Sequence, residues 1–438
     1  MGIQKNYFGT DGIRGLAGNY PLNDSGCQRI GQSIGVEFGD INDTILIGSD
    51  TRESSPALMD SVITGLISVG IRVVKVGIVP TPAIAYLTRE TDAVAGIMIT
   101  ASHNHYTDNG IKVFSSNGGR LGESIERRIN KNIQETISPK QTGSIIENFE
   151  LIDKYRDFLI STLGGHTLSG LNIAIDCANG ATFKIVEDIF SSAGAQVWLL
   201  NNSPTGKNIN LSCGSNDTTQ LQKFVIDNNL DAGVAFDGDG DRVVIVDALG
   251  KALNGDNLLY ILAVLNDFSS VVATVMSNQG LENALKAVGI NTFRTAVGDH
   301  KVMEGIETSG AKLGGEQNGH IINANYLSTS DGLLAALQVL SLVKESGKDL
   351  HEWENFISVI PQELINIKLP NPKLLDSEKV SEYINRMNDE IFTSGGRLLV
   401  RPSGTEAIAR IMVEAPNAKR YAQEIADQLE SLFSELAN

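Results

Sequence analysis

Cysteine is almost absent from these 438 residues: there are three, at 27, 177 and 213, widely spaced and with no Cys-x-x-Cys pair. That excludes a disulfide framework and fits reduced thiols in a cytoplasmic chain. Long apolar runs are missing too. None approaches the length needed to span a bilayer, and Met1 to Thr10 lacks the hydrophobic region of a signal peptide, so no membrane partner and a cytoplasmic location are expected. Positive charge is in short supply, with 35 Lys and Arg against 52 Asp and Glu, a formal net charge of -17. Such a field argues against nucleic acid or an anionic membrane surface as partner. An anionic small molecule would need a locally basic site, so Arg and Lys should cluster in motifs. Six scattered His with no His-x-x-x-His disfavour a catalytic zinc. The chain also lacks a Gly-x-x-x-x-Gly-Lys-Ser/Thr loop, a Gly-x-Gly-x-x-Gly between strand and helix, and a Gly-x-Ser-x-Gly elbow.

What is present has a regular plan. Thr44–Gly48 is a short β-branched run, Ser49–Arg52 a loop, and Ser54 or Ser55 a candidate N-cap with Pro56 at the first helical position. Apolar residues then follow helical spacing from Leu58 to Val69, Gly70 stops the helix, and Ile71–Val76 is a strand. The scheme recurs in Asn172–Asp176, Phe183–Ser192, Gly194 and Gln196–Leu200. It recurs again in Val271–Met276, Leu281–Val288, Gly289 and Asn291–Phe293. Three related α/β units with mainly parallel sheets are expected. The tail, with a strand at Glu363–Leu369, a helix over Ser377–Ile391, strands at Gly396–Val400 and Ala409–Val413 and a last helix from Ala418, predicts a smaller α+β domain. The expected divisions are 1–147, 148–249, 250–360 and 361–438, with linkers near Thr142–Glu147, Ala248–Lys251 and Val359–Gln362.

Four segments carry chemistry. The run Ala93–Ile99 reads as a buried strand that breaks into Thr100-Ala101-Ser102-His103-Asn104, with Lys112 ten residues beyond Ser102. A hydroxyl beside an imidazole at a strand's carboxyl end can be a nucleophile or a phosphate carrier, and equally a polar loop whose Ser only caps a turn. Asp237-Gly238-Asp239-Gly240-Asp241-Arg242 lies between two predicted strands. Three carboxylates on alternate positions repel one another unless a hard divalent cation accepts their oxygens. An EF-hand is excluded, because its sixth and twelfth positions are Arg242 and Ala248. Three ligands with open positions suit Mg²⁺; a solvated acidic turn is the bland alternative. Gly314–His320, with Glu316, Asn318 and His320, offers groups suited to sugar hydroxyls, or a plain turn. Arg401-Pro402-Ser403-Gly404-Thr405-Glu406, followed by Arg410, has the donors of a phosphate cradle, or of a hairpin with an exposed Arg. A carrier hydroxyl, a metal loop, a polyol loop and a cradle, one per domain, together suit phosphoryl transfer on a sugar phosphate.

These motifs, together with Phe8–Gly15, match those of a known family in order and spacing. The chain resembles the α-D-phosphohexomutases over essentially its whole length, and is most similar to the bacterial phosphoglucosamine mutases. The resemblance implies a four-domain, heart-shaped α/β architecture of three similar domains and a smaller α+β C-terminal one. It implies Ser102 as the phosphoserine, one Mg²⁺ held by Asp237, Asp239, Asp241 and the Ser102 phosphate, and Arg14 and Lys112 flanking the transferred group. His320 and Lys112 become candidates for acid–base work, with His103 beside the carrier. Glu316, Asn318 and Arg242 would meet the sugar, and Arg401, Ser403, Gly404, Thr405 and Arg410 the phosphate that is not reacting. The implied reaction interconverts glucosamine 6-phosphate and glucosamine 1-phosphate through a hexose 1,6-bisphosphate, which also primes the serine, in a monomer or homodimer. A phosphoglucomutase or phosphomannomutase on the same scaffold is the alternative, and a non-catalytic sugar-phosphate binding protein a further one. The chain departs from the family pattern at Ser49, His105, His300, Lys301, Asn318 and Ala407, which lie in substrate-facing loops and bear on sugar identity.

Overall fold

Three sheets of the same internal order, and a fourth of a different kind, carry the fold. The computed structural model describes residues 6–9, 11–139, 142–393, 395–402 and 407–437. The first sheet contains β1 (Phe8–Gly9), β2 (Gly12–Leu16), β3 (Thr44–Ser49), β4 (Arg72–Ile78), β5 (Ala93–Ile99), β6 (Asp108–Ser115) and β7 (Ser144–Glu147), in the order β1-β2-β6-β5-β3-β4-β7. The second contains β8 (Asn172–Asp176), β9 (Gln196–Leu200), β10 (Ala232–Phe236), β11 (Val243–Asp247) and β12 (Ala252–Leu253), in the order β12-β11-β10-β8-β9. The third contains β13 (Ser270–Thr274), β14 (Asn291–Thr295), β15 (Leu313–Gly315) and β16 (Ile321–Asn323), in the order β14-β13-β15-β16.

One four-strand unit repeats in all three. In β4-β3-β5-β6, β9-β8-β10-β11 and β14-β13-β15-β16, the first three strands are parallel and the fourth is antiparallel. Mainly parallel sheets were expected; the antiparallel fourth strand is the difference, and it matters for function. Residues 100–107, 237–242 and 316–320, the three loops singled out by their chemistry, each join the third strand to that reversed fourth one. The parallel strands are buried along much of their length, as β3 is at every residue, which is why they read as unbroken apolar runs.

Two local expectations are corrected. Ser54 stands at the N-cap of the helix Ser55–Ser68, but its side chain makes no cap bond and Pro56 is the second helical residue rather than the first; the Ser55 hydroxyl donates to Asp50 Oδ1 at 2.9 Å. The expected linker near Thr142–Glu147 instead contributes β7, an edge strand parallel to β4. All four β7 residues are exposed, so Ser-Ile-Ile-Glu lacks the apolar–polar alternation that marks a half-buried strand. The segment Ala248–Lys251 is a tight turn between β11 and β12. No helix among the described residues is long and apolar enough to cross a membrane.

The chain forms two compact units, Met1–Met276 with Val288–Asn355, and Ser277–Ala287 with Phe356–Asn438. The second holds β17 (Gln362–Lys368), β18 (Arg397–Pro402) and β19 (Ile408–Glu414), an antiparallel sheet in the order β17-β19-β18. Helices Glu378–Thr393 and Ala418–Ala437 belong to the same unit, and Ile367, Met387, Ile411, Val413, Ile425 and Leu429 form part of its core. That is the small α+β domain expected of the tail.

Candidate functional site

The first two reversed-strand loops meet directly. Ser102 is fully buried and its backbone is left-handed, with φ of 52°. Its hydroxyl donates to Asp237 Oδ2 at 2.7 Å and lies 3.2 Å from His103 Nδ1. The approach depends on glycine: a Cβ on Gly238 would stand 2.6 Å from the Ser102 carbonyl oxygen. Gly240, at φ of 72°, supplies the other bend, one that L side chains disfavour. Three carboxylates thereby converge around one point, with ligand oxygens of Asp237, Asp239 and Asp241 all within 4.8 Å of one another and all three residues buried.

Charge at that point is partly balanced by one ammonium. Lys112 is fully buried, with Nζ 2.8 Å from both Asp239 Oδ2 and Asp241 Oδ2. Burial acts to lower its pKa, but Asp11, Asp239 and Asp241 outweigh this and hold it above the usual lysine value. Burial likewise works to raise Asp241, and Lys112 and then His320 hold it well below the carboxylate range instead. At Asp237 the relief from Arg242 and the Ser102 hydroxyl is too small: burial, then Asp241 and Asp239, push it up to about 8. Asp239 Oδ1 is buried without a hydrogen-bond partner. A hard, oxygen-binding cation would accept that oxygen and relieve the repulsion on Asp237, so the donor set fits a divalent metal.

The third loop closes on the same carboxylates. His320 Nδ1 lies 2.9 Å from Glu316 Oε2, and its Nε2 lies 3.2 Å from Asp241 Oδ1. Arg242 Nε is also 2.9 Å from that Nε2. The nitrogen can accept from Arg242 or donate to Asp241, but not both. Burial works against a charged His320, yet Asp241 and Glu316 together outweigh it and push the imidazole up to about 10, which favours donation to Asp241. His103 goes the other way, down to about 3, through burial and then the Arg242 and Arg14 charges. Glu316 Oε1 accepts from Gly298 N at 3.0 Å, and Asn318 is exposed, its Oδ1 accepting from His320 N at 3.4 Å.

A second circuit runs behind Lys112. Asp11 pairs with Arg14 and with Arg120, and lies 3.6 Å from Lys112 Nζ. Burial would raise Asp11, but Arg120, Lys112 and Arg14 together hold it far below the carboxylate range. Arg120 continues to Asp299 Oδ2 at 3.0 Å, next to the Gly298 that holds Glu316. Lys112, Asp11, Arg120, Asp299, Glu316, His320 and Asp241 thus form a ring of polar contacts, closed through the Gly298 peptide and built from all three sheets. A cavity of about 610 Å³ borders Gly12, Arg120, Asp299 and His300, but neither Ser102 nor the triad lines it, so it lies beside the centre.

In the second unit Arg401 and Arg410 are direct cross-strand partners on β18 and β19. Burial, then the Arg410 charge, lowers the Arg401 pKa. Like charges opposite one another disfavour a sheet until an anion joins them. Ser403, Gly404 and Thr405, named with them, lie outside the described residues, as does Glu406.

Residues 5–140 match phosphoglucomutase/phosphomannomutase α/β/α domain I, 153–250 domain II, 254–358 domain III and 364–431 the C-terminal domain. The chain belongs to the phosphoglucomutase/phosphomannomutase family. A phosphoglucosamine mutase of Thermus thermophilus is 40% identical over 435 residues, covering 98% of this chain and 99% of that one. That of Acetivibrio thermocellus is 42% identical over 447 residues, covering 98% of each. Membership makes this chain an isomerase that works by phosphoryl transfer. The fold agrees with solved members. A Burkholderia thailandensis phosphoglucomutase/phosphomannomutase family protein superposes with a TM-score of 0.82 at 22% identity, covering 99% of this chain and 98% of that one. Aspergillus fumigatus N-acetylphosphoglucosamine mutase gives 0.66 at 16%, covering 97% and 95%.

Sequence reasoning missed Asp11, Arg52, Arg120 and Asp299 as parts of the site. Asp11 stood inside the Phe8–Gly15 motif and Asp299 inside a segment noted only for its departures, so both were in view; Arg52 read as an ordinary loop residue. His105, a departure from the family pattern, is exposed, with Nδ1 2.9 Å from Thr107 Oγ1 and its ring against Tyr106. Those contacts turn its imidazole to its own loop rather than to the Ser102 hydroxyl.

Proposed function

We propose that this chain interconverts glucosamine 6-phosphate and glucosamine 1-phosphate through phospho-Ser102 and a bisphosphorylated sugar. The observation that carries the reading is the 2.7 Å contact between Ser102 Oγ and Asp237, beside a buried carboxylate triad, in a chain about 40% identical to full-length phosphoglucosamine mutases. The P–O bond to Ser102 Oγ breaks as the bond to the sugar's 1-hydroxyl oxygen forms. The hydroxyl proton leaves to a base in the site: His103, held neutral 3.2 Å from Ser102 Oγ, can accept it, whereas His320, charged beside Asp241, and Lys112, held as an ammonium by two carboxylates, suit charge neutralisation. The bisphosphate then turns over and its 6-phosphoryl returns to Oγ. A phosphoryl transition state needs in-line placement and neutralised oxygens more than covalent help. Arg14 and Lys112 supply fixed positive charge, and Glu316, Asn318 and Arg242 orient the sugar. One Mg²⁺, held by Asp237, Asp239, Asp241 and the Ser102 phosphate, would supply the remaining positive charge against the phosphoryl group. Arg401 and Arg410, with Ser403, Gly404 and Thr405, serve the non-reacting phosphate, and a hexose 1,6-bisphosphate primes Ser102. The working divisions are 1–147, 148–249, 250–360 and 361–438.

The test is turnover of glucosamine 6-phosphate, glucose 1-phosphate and mannose 1-phosphate side by side, with Mg²⁺ and glucose 1,6-bisphosphate present. Faster turnover of glucose or mannose phosphate would replace the amino sugar with the alternative substrates, for which the unusual His300, Lys301 and Asn318 leave room. No turnover of any, with binding retained, would make the chain a sugar-phosphate binding protein. Intact mass should show one phosphate that Ser102→Ala removes.

A further inference from the structure

The backbone of the Ser102 loop is held from behind by one side chain. Arg52 is entirely buried. Its Nε donates to Asp50 Oδ2 at 2.8 Å, Nη1 to the carbonyls of His105 and Asp108 at 2.5 and 3.0 Å, and Nη2 to those of Ser102 and Asn104 at 2.8 and 2.9 Å. A guanidinium has five N–H donors in a rigid plane, and here all are used, three on main-chain carbonyls of the Ser102 loop and one on that of Asp108, where β6 begins. Asp50 anchors the fork, accepting also from Arg52 N at 3.0 Å, from Thr100 Oγ1 at 2.7 Å and from Ser55 Oγ at 2.9 Å. Thr100 Oγ1 in turn accepts from Ser102 N at 2.9 Å. Both the amide and the carbonyl of Ser102 therefore lead back to the Asp50–Arg52 pair.

The arrangement answers a physical difficulty. Ser102 holds a left-handed backbone that residues with a Cβ rarely adopt, and left-handed geometry at a functional residue persists only where its surroundings over-determine it. Its carbonyl is fixed by Arg52 and by Asn210 Nδ2 at 2.9 Å, and its amide by Thr100, so Oγ is left aimed at Asp237. Toward the loop the fork binds main-chain carbonyls, so it is indifferent to the side chain at 105. That accounts for an exposed His being accommodated there.

We propose that Arg52 is a positioning residue for phosphoryl transfer. Resting on the reading of Ser102 as carrier, the proposal is that the guanidinium sets the height and direction of Ser102 Oγ over the carboxylate triad without touching the phosphoryl group. Lysine cannot replace it, because three donors on a flexible stem cannot span four carbonyls and a carboxylate.

The experiment uses the full chain with Arg52→Lys, Arg52→Gly and Ser102→Ala, folding being checked by circular dichroism at the assay temperature. Misplacement of the carrier by about an ångström predicts a kcat about 100-fold lower in both Arg52 variants, with KM for glucosamine 6-phosphate within about threefold of wild type. Phosphate on Ser102 after incubation with glucose 1,6-bisphosphate, read by intact mass, should fall in parallel. Guanidinium added at millimolar concentration should restore part of kcat to Arg52→Gly, and urea at the same concentration should not. A kcat for Arg52→Lys near the wild-type value overturns the proposal. So does a loss of fold in both variants with no rescue, which would make Arg52 a structural residue only. Ser102→Ala separates the two readings: if it still turns over, the carrier reading has failed; if it is dead while Arg52→Lys is fully active, only the positioning claim has.

Discussion

The Ser102 loop and the Asp237 loop occupy the same place in two sheets of the same order, yet different groups hold them. The first takes its shape from outside, from the Arg52 guanidinium reaching its carbonyls across some fifty residues of sequence. The second is held by main-chain amides of other segments, Ala181 N on the Gly238 carbonyl, Thr81 N on that of Asp239 and Gly332 N on that of Gly240, with Gly238 allowing the close approach and Gly240 the left-handed bend. The difference follows from charge. A loop carrying three carboxylates has its side chains committed to one point, so glycine must supply the turn. A loop built around the Ser102 hydroxyl, with no carboxylates to gather, leaves its carbonyls free for a cation that clamps them. The general point is that equivalent topology places two loops together but does not decide how either is kept in register.

The largest break in that comparison should be Ser102→Ala. On the proposed reading of Ser102 as the phosphate carrier, kcat should fall by about ten-thousandfold or more, measured with glucosamine 6-phosphate. On the other loop, Asp239→Asn removes a candidate ligand and one of the two carboxylates bonded to Lys112. Mg²⁺ affinity, followed by isothermal titration, should fall by about 10- to 100-fold, and affinity equal to wild type would remove Asp239 from the metal site. Arg120→Met severs Asp11 from Asp299 while sparing both loops, so kcat/KM should drop by about tenfold, the order of one coupling between contacting groups. Gly240→Ala tests the backbone-held loop directly: the new methyl would stand 2.7 Å from Thr182 Cγ2 at a left-handed position. A loss of about 1–3 kcal/mol in urea unfolding is expected, and no loss would mean the bend is not glycine-dependent. At the far end, Lys223→Ala breaks a mostly exposed helical pair with Asp227. It should change stability by less than about 0.5 kcal/mol, since solvent already screens the pair.

Much of this architecture was legible because buried parallel strands and amphipathic helices leave local marks. The repeat around Thr44–Val76, Asn172–Leu200 and Val271–Phe293 matches three parallel strand pairs in the structure. Chemistry was legible for a related reason: carboxylates at alternate positions, or a hydroxyl beside an imidazole, are short-range patterns. What escaped has long-range partners. Arg52 binds carbonyls, and every residue has one, so no sequence feature marks its target. Arg120 and Asp299 are 179 residues apart, and their pairing follows from how sheets one and three pack. The edge strand β7 escaped because, exposed on both faces, it needs no apolar periodicity; only its pairing with β4 makes it a strand.

By itself, the sequence determined the class of chemistry: three carboxylates on alternate positions, suited to a divalent cation, and a hydroxyl placed where an α/β sheet ends. Those are properties of residue type and spacing, which the chain carries whether or not it is folded. Only the tertiary structure decided which groups share a charge. It buried Lys112 between Asp239 and Asp241, drove Asp237 and His103 in opposite directions from their usual pKa values, and turned Arg52 onto the back of the Ser102 loop. Electrostatic energy depends on separation and on exclusion of water, and neither exists until the three sheets have come together.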